Sequence, residues 1–327
     1  MQPVPPILEV RDLSVEYAGP GRSVGAVDRV SLDLRPREFL AIVGESGCGK
    51  STLLFAVARL LAPPARVTAG AVHFKGRDLL QMSEREVRQV RWREYSVVMQ
   101  SAMNALNPVM TIGAQLRDAM AAHAHLSPRA IQDRSREVLR LIGIDPIHLK
   151  AYPHQLSGGM RQRAMIAMAL LFTPDLVIMD EPTSAVDVVA QRSLMVQIKE
   201  LQQQLGFAVL FVTHDMSLVS HFSDRLAVMY AGQLVEVGAT RTLFTAPKHP
   251  YTRGLMAAFP SIRSERRPLR GIPGSPPDLG APPAGCRFSP RCPQVMDRCR
   301  AEAPAARLDE AALVRCHLYD ADAGTQH

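Results

Sequence analysis

The sequence predicts an α/β protein organised around a parallel sheet with a phosphate-binding loop at its centre. Three stretches carry that expectation. The apolar pentad Phe39-Leu40-Ala41-Ile42-Val43 runs into Gly44-Glu45-Ser46-Gly47-Cys48-Gly49-Lys50-Ser51-Thr52, and a helical run, Thr52–Leu61, follows. A second apolar run, Leu176-Val177-Ile178-Met179, ends in Asp180-Glu181-Pro182, and a third, residues 207–213, ends at His214-Asp215. Apolar runs without alternation suit strands buried on both faces. Strands alternating with helices suit a parallel core.

The loop Gly44–Thr52 has the spacing of a glycine, four residues, then Gly-Lys-Ser. Gly44, Gly47 and Gly49 let backbone N–H groups curl around phosphate oxygens without a Cβ in the way. Ser46, Cys48 and Thr52 contribute to the same cradle, and the following helix adds its partial positive N-terminus. Lys50 reaches terminal phosphates, and the Ser51 hydroxyl can ligate Mg²⁺. Strand, loop and helix together predict that the chain binds a nucleoside triphosphate.

With 327 residues, two domains are expected, or one large and one small. A hydrophobic share of 47% is enough for a full core, and no apolar run approaches the roughly 20 residues of a membrane helix. The start Met1–Pro6 lacks the basic and apolar parts of a signal peptide, so a protein kept in the cytosol is expected, with any membrane association peripheral. The net charge of +7 is spread along the chain and by itself names no partner.

In chain order, residues 7–17 and Val30–Leu34 alternate as half-buried strands do, giving an antiparallel β region ahead of the phosphate loop. Tyr17 lies at the end of the first strand, where an aromatic either stacks on a base or simply packs. Short strands are expected at Ala71–Phe74 and Tyr95–Met99, the second running into Gln100. Residues 101–155 read as a helical insert, with Leu116/Met120 and Val138/Leu139/Ile142 at helical spacing. After it, Leu156-Ser157-Gly158-Gly159-Met160 precedes a helix over Arg161–Leu171, so Ser157, Gly158 and Gly159 make a second anion site. A helix over 189–205, another near 216–222, a strand Leu226–Met229 and a turn at Ala231-Gly232 complete the core. There is no internal repeat. Beyond about residue 258, prolines are too dense for a regular helix or central strand.

Taken together and in this order, these motifs resemble the ATP-binding subunits of ABC transporters over some 250 positions. The resemblance implies an ABC-ATPase cassette: a parallel phosphate-loop core, an antiparallel β-subdomain, a helical subdomain and a Pro/Cys-rich C-terminal extension. Its domains would be 1–258 and 259–327. It implies Tyr17 as the base-stacking aromatic, Gly44–Thr52 as the phosphate loop, and Gln100 as a Mg²⁺ contact. Asp180 would hold Mg²⁺ through water, Glu181 would polarise the attacking water, and His214 would meet the γ-phosphate. Ser157-Gly158-Gly159 would be the signature that reaches a partner's nucleotide, with Asp187 in the adjoining loop. Met160, Ser101 and Val186 depart from the common family residues, and every residue expected for hydrolysis is present.

The tail narrows the resemblance. His249-Pro250-Tyr251-Thr252-Arg253 and Ile272–Pro277 are similar to the C-terminal extension of oligopeptide, dipeptide and nickel importers. Cys286, Cys292, Cys299 and Cys316 are separated by five, six and sixteen residues. Disulfides are not expected in a reducing cytosol. Zinc sites favour closer cysteine pairs, whereas this spacing and the resemblance suit a [4Fe–4S] cluster. Zn²⁺, with His317 as a substitute ligand, and free structural thiols stay open. Arg287, Arg291, Arg298 and Arg300 are read either as a solvated face or as a surface near anionic lipid or membrane subunits. The implied function is ATP-driven import of peptides, or of nickel or another solute. The implied partners are a second ATPase subunit, expected to be a paralogue, two permease subunits and an extracytoplasmic solute-binding protein, at the cytoplasmic face of the membrane. The alternative within the same fold is a non-transport ABC ATPase acting on nucleic acid; such proteins usually carry two cassettes or a long insert, whereas this chain has one cassette and a short insert, so nucleic acid is not expected as a partner.

Overall fold

The computed structural model describes residues 4–100, 105–182, 188–258, 271–309 and 312–320. The chain begins with β1 (Leu8–Gly19), β2 (Arg22–Leu34), β3 (Phe39–Val43), α1 (Lys50–Val57), β4 (Ala65–Phe74), β5 (Arg77–Asp78), α2 (Glu84–Val90) and β6 (Tyr95–Val98). The middle of the chain forms α3 (Ile112–His123), α4 (Pro128–Leu141), α5 (Gly158–Ala169), β7 (Leu176–Asp180), α6 (Val188–Leu205), β8 (Ala208–Val212) and α7 (Met216–Phe222). The last part forms β9 (Arg225–Tyr230), β10 (Gln233–Ala239), α8 (Thr240–Thr245), α9 (Pro250–Ala257), α10 (Asp297–Ala301), β11 (Arg307–Asp309) and β12 (Ala312–Val314).

The chain divides into two compact units. One comprises residues 1–8, 34–39 and 74–211. In it β8, β7 and β6 lie side by side, and β6 pairs with β7 in parallel from Tyr95↔Leu176 to Val98↔Met179. All five residues of β7 are buried, as an uninterrupted apolar run requires. The helical layer has clear local causes. Ser83 and Glu86 close a capping box on α2, Thr111 caps α3, and Ser127 with Pro128 at the first turn starts α4. The α5 helix packs on both α3 and α4, so this layer extends through Ala169.

The other unit comprises residues 9–33, 40–73 and 212–327. Here β2, β1 and β4 are neighbours, and β1 alternates buried and exposed positions as expected. A second run of strands has the order β11-β12-β10-β9-β3, with β3 parallel to β9 and the others antiparallel. Two results differ from the sequence expectation. The helix after the phosphate loop ends at Val57 rather than near Leu61, and Arg59 then adopts a left-handed φ of 55°. The proline-rich tail also holds strands: β12 pairs with β10 and β11 with β12, each of three residues. Three residues are too few to show a period, which hides them in the sequence.

The tail is anchored by an aromatic cluster. Phe288, 2% exposed, meets Tyr230 at 5.2 Å and Tyr251 at 5.5 Å, and the two tyrosines are 4.5 Å apart. His249 lies against Phe288 and caps α9, its Nδ1 accepting the Tyr251 N–H at 3.0 Å. Burial, and then Arg253, push the His249 pKa down to about 3. The unfolded imidazole takes a proton near pH 6.5, whereas the folded one stays neutral until about pH 3. Stability from this residue is therefore complete above pH 6.5 and declines by up to about 1.4 kcal/mol per pH unit as pH falls towards 3. Urea unfolding near pH 7 and near pH 5 should show a smaller acid loss in His249→Asn, which keeps a capping acceptor but not the titration.

Candidate nucleotide site

The phosphate loop is shaped by backbone contacts that exclude side chains. A Cβ on Gly49, whose φ is +104°, would lie 2.1 Å from the Ala26 carbonyl oxygen. One on Gly44 would lie 2.1 Å from the Met229 carbonyl oxygen and 2.8 Å from the Cys48 Sγ. Any larger residue at either place would displace backbone. Gly49 is the N-cap of α1 and offers no side-chain cap, so the helix presents its first N–H groups to the loop. The Gly232 N–H donates to the Cys48 carbonyl at 2.9 Å, tying the turn between β9 and β10 to the loop.

Lys50 is only 7% exposed. Its ammonium donates to the carbonyls of Gly44 at 2.8 Å and Glu45 at 2.9 Å, which centres the charge inside the loop. Cys48 is buried beside it, with Sγ 3.8 Å from Nζ. Burial raises the Cys48 thiol above its usual range although Lys50 pulls the other way, so it stays protonated at neutral pH. Ser46 and Gly47 form the exposed tip, Ser51 is half-buried and Thr52 is buried. The Tyr17 hydroxyl bonds the Thr52 hydroxyl at 3.0 Å while the side chain is part-exposed at the edge of the same site. His214 stands exposed just after β8, next to Asp215, whose carboxylate accepts the Ser217 N–H at 2.8 Å and caps α7.

The other unit holds a second group of predicted residues. Asp180, 1% exposed, ends β7. Glu181 follows with a left-handed φ of 43°, a costly conformation for a non-glycine residue and one found where geometry is imposed for a purpose. Gln100 donates through Nε2 to the Glu181 carboxylate at 2.9 Å, so the strand ends of β6 and β7 bring these two side chains together. Ser157 caps α5, its hydroxyl accepting the Met160 N–H at 3.2 Å, with Gly158 and Gly159 in the first turn. Asp187, Val186 and Ser101 lie outside the described residues.

The tail arginines are not all a solvated face. The Arg291 side chain is 6% exposed, and its Nη1 donates to both Glu45 carboxylate oxygens at 2.9 and 3.1 Å. Arg287 pairs with Asp28 at 2.7 Å and also donates to the Ala231 carbonyl. Burial opposes the Asp28 charge, but Gln233, Arg287 and Arg29 outweigh it and hold its carboxyl below the usual range. Arg298 and Arg300 do lie at the surface, Arg298 paired with Glu302 and Asp320. Sequence reading missed Asp28, Tyr230 and Tyr251 as neighbours of the nucleotide loop, because no local pattern marks them.

The four tail cysteines are free thiols in one region. The Cys286 N–H donates to the Cys299 carbonyl at 2.8 Å. Burial raises the Cys286 and Cys292 thiols and pushes Cys316 up to about 11, with neighbouring cysteines adding to each shift. Among the described residues no three His, Cys, Asp or Glu side chains are gathered closely enough to hold a metal ion. This finding supports neither the cluster nor the zinc alternative. Nor is His317 a spare ligand, since Nδ1 contacts Asp320 at 2.8 Å and Nε2 the Glu302 carbonyl at 2.9 Å.

Comparison with known proteins places this geometry. The ABC transporter family profile matches residues 27–184, and the oligopeptide/dipeptide transporter C-terminal region matches 235–299. The dipeptide transport ATP-binding protein DppD of Caldanaerobacter subterraneus subsp. tengcongensis is 43% identical over 317 residues, 96% of this chain and 97% of that protein. This chain belongs to the ATP-binding proteins of ABC transporters. The oligopeptide transport ATP-binding protein OppD of Salmonella typhimurium is 41% identical, covering 96% of this chain and 94% of its own length. Among solved structures, the dimeric post-hydrolysis state of the ATP-binding cassette MJ0796 bound to ADP and Pi matches with a TM-score of 0.64 at 26% identity, covering 72% of this chain and 99% of that one. The protein is thus an ABC-family ATPase, and its α/β cassette is the fold the sequence predicted. Among the described residues no helix is long and apolar enough to cross a membrane. Lys50→Ala should lower ATP turnover by at least about a hundredfold, since it removes the one cation centred in the loop; release of phosphate from ATP checks this.

Proposed function

We propose that this protein hydrolyses ATP to power import of di- or oligopeptides across the cytoplasmic membrane. The observation that carries the reading is a phosphate loop braced within one compact unit by an oligopeptide/dipeptide-type C-terminal region. The DppD and OppD names of its relatives support the same solute class. The protein acts at the inner face of the membrane with a second ATPase subunit, expected to be a paralogue, two permease subunits and an extracytoplasmic solute-binding protein.

In this reading the Gly44–Thr52 backbone and Lys50 bind the β- and γ-phosphates, and Tyr17 packs on the base. Ser51, Gln100 and Asp180 would hold Mg²⁺ when it is bound with the nucleotide. The chemistry it would supply is positive charge against the phosphates. Glu181 orients and polarises the attacking water, a task for a carboxylate whose position is fixed, and Gln100 supplies that restraint. His214 contacts the γ-phosphate. Ser157, Gly158 and Gly159 at the N-terminus of α5 address the γ-phosphate held by a partner subunit, with Asp187 beside them. ATP then favours the closed dimer, and hydrolysis releases it.

We further propose that Cys286, Cys292, Cys299 and Cys316 hold a structural [4Fe–4S] cluster. The support is that the four thiols are close enough to interact electrostatically, and four cysteines are the ligand set such a cluster takes. It would need all four as thiolates, and iron there would supply positive charge that favours the thiolate form.

Two measurements test these assignments. Glu181→Gln should retain ATP binding while turnover falls by about a hundredfold or more, and uptake of a labelled dipeptide by the reconstituted transporter should fall with it. Peptide-independent turnover, with stimulation by nickel or by nucleic acid instead, would overturn the solute assignment. Protein purified without oxygen should contain about four irons with matching sulfide per chain; zinc, or neither metal, would overturn the cluster.

A further inference from the structure

We propose that Arg291 and Tyr251, from the C-terminal region, are positioning residues of the nucleotide site that hold Glu45 of the phosphate loop away from the bound phosphates. Glu45 is the second residue of the loop, and a carboxylate there is the wrong sign for a polyanionic ligand. Left to itself it would repel the nucleotide and compete for Lys50. The structure prevents this in two ways. Arg291 takes both carboxylate oxygens from one Nη1, at 2.9 and 3.1 Å. Tyr251, fully buried, accepts the Glu45 N–H on its hydroxyl at 3.0 Å. Side chain and backbone of the same residue are thus both held by the tail.

Arg291 is itself over-determined. Its Nε donates to the Pro273 carbonyl at 2.8 Å, Nη2 to the Ile272 carbonyl at 3.2 Å, and Nη1 also to the Tyr230 hydroxyl at 3.3 Å. A surface ion pair needs none of this, and a planar guanidinium anchored at three nitrogens has only one orientation left. The partners are 246 residues apart in sequence, so the tail must fold onto the loop for the pair to exist. The inference rests on ATP binding, not on the solute carried or on iron at the cysteines.

The test uses the full-length protein and binding of a fluorescent ATP analogue, read beside turnover and melting temperature. Arg291→Met should raise the dissociation constant about tenfold with kcat at saturating ATP within about twofold, the scale for losing one partner of a charge pair beside an anion. Adding Glu45→Gln to Arg291→Met should restore affinity to within about threefold of the parent, because the exposed carboxylate is what does the damage. Tyr251→Phe, which only removes a hydroxyl, should weaken binding about threefold. Lys248→Met breaks a tail ion pair with Asp309 away from the loop and should lower the melting temperature alone. Unchanged affinity in Arg291→Met and Tyr251→Phe would overturn the proposal. So would failure of Glu45→Gln to restore affinity, or an equal loss of affinity in Lys248→Met. If Arg291→Met does not fold, Arg291→Lys, which keeps charge but loses the fork, takes its place with an expected loss of about threefold.

Discussion

The close seating of the phosphate loop on neighbouring backbone is the constraint on which the rest of this structure depends. At Gly44 and Gly49 the space for a side chain is already taken by the carbonyls of Met229 and Ala26. The loop is therefore pressed between β9 on one side and the β2 region on the other, and its N–H groups are left with one direction to face. Such a loop cannot adjust to a shifted platform. β3 must be fixed in register with β9, which parallel pairing from Leu40↔Arg225 to Val43↔Val228 secures. Full burial of all five β3 residues removes any latitude in the strand that delivers the loop.

Charge placement around the loop follows from that rigidity. Lys50 has its ammonium held by carbonyls, which cancel none of its charge. Two acidic residues nearby are taken by tail arginines, Asp28 by Arg287 and Glu45 by Arg291. Pairs of this kind add little net stability, because desolvation offsets much of the attraction. Burial indeed lowers the Arg287 pKa despite its partner, whereas for Arg291 the bonds from Glu45 and Tyr230 overcome burial and raise it. What the pairs fix is geometry. Both pairs engage carboxylates beside the loop that carries Lys50 and the first turn of α1.

How much of this was legible in the sequence depends on the range of each interaction. The phosphate loop, β7 with Asp180-Glu181, and the α5 cap at Ser157 are local patterns, and each is where the sequence put it. Arg291 gave no signal because its meaning lies in a carboxylate 246 residues away. In isolation it reads as one more charge in a basic tail. His317 misled for a related reason: it sits beside Cys316 in sequence, yet both ring nitrogens are used by Asp320 and Glu302. β12 was hidden by its length, and only pairing with β10 makes it a strand. Proline density in the tail spoke against regular structure correctly for most of it, but said nothing of Phe288, whose burial between Tyr230 and Tyr251 holds the tail in place.

Glu181 shows how a local motif acquires a long reach. Its backbone is held at φ 43°, a region that costs of order 1 kcal/mol or more for a side-chain-bearing residue. Strain of that size persists only if the flanking structure over-determines it, and here β7 is buried along its whole length. The side chain has a separate restraint, the Gln100 amide at the end of β6. Backbone position is thus set by the sheet, while carboxylate orientation is set by a residue on the path from β6 into the helical layer. Gln100, just beyond the end of β6, thus restrains the proposed hydrolytic group from the strand that leads into the helical layer.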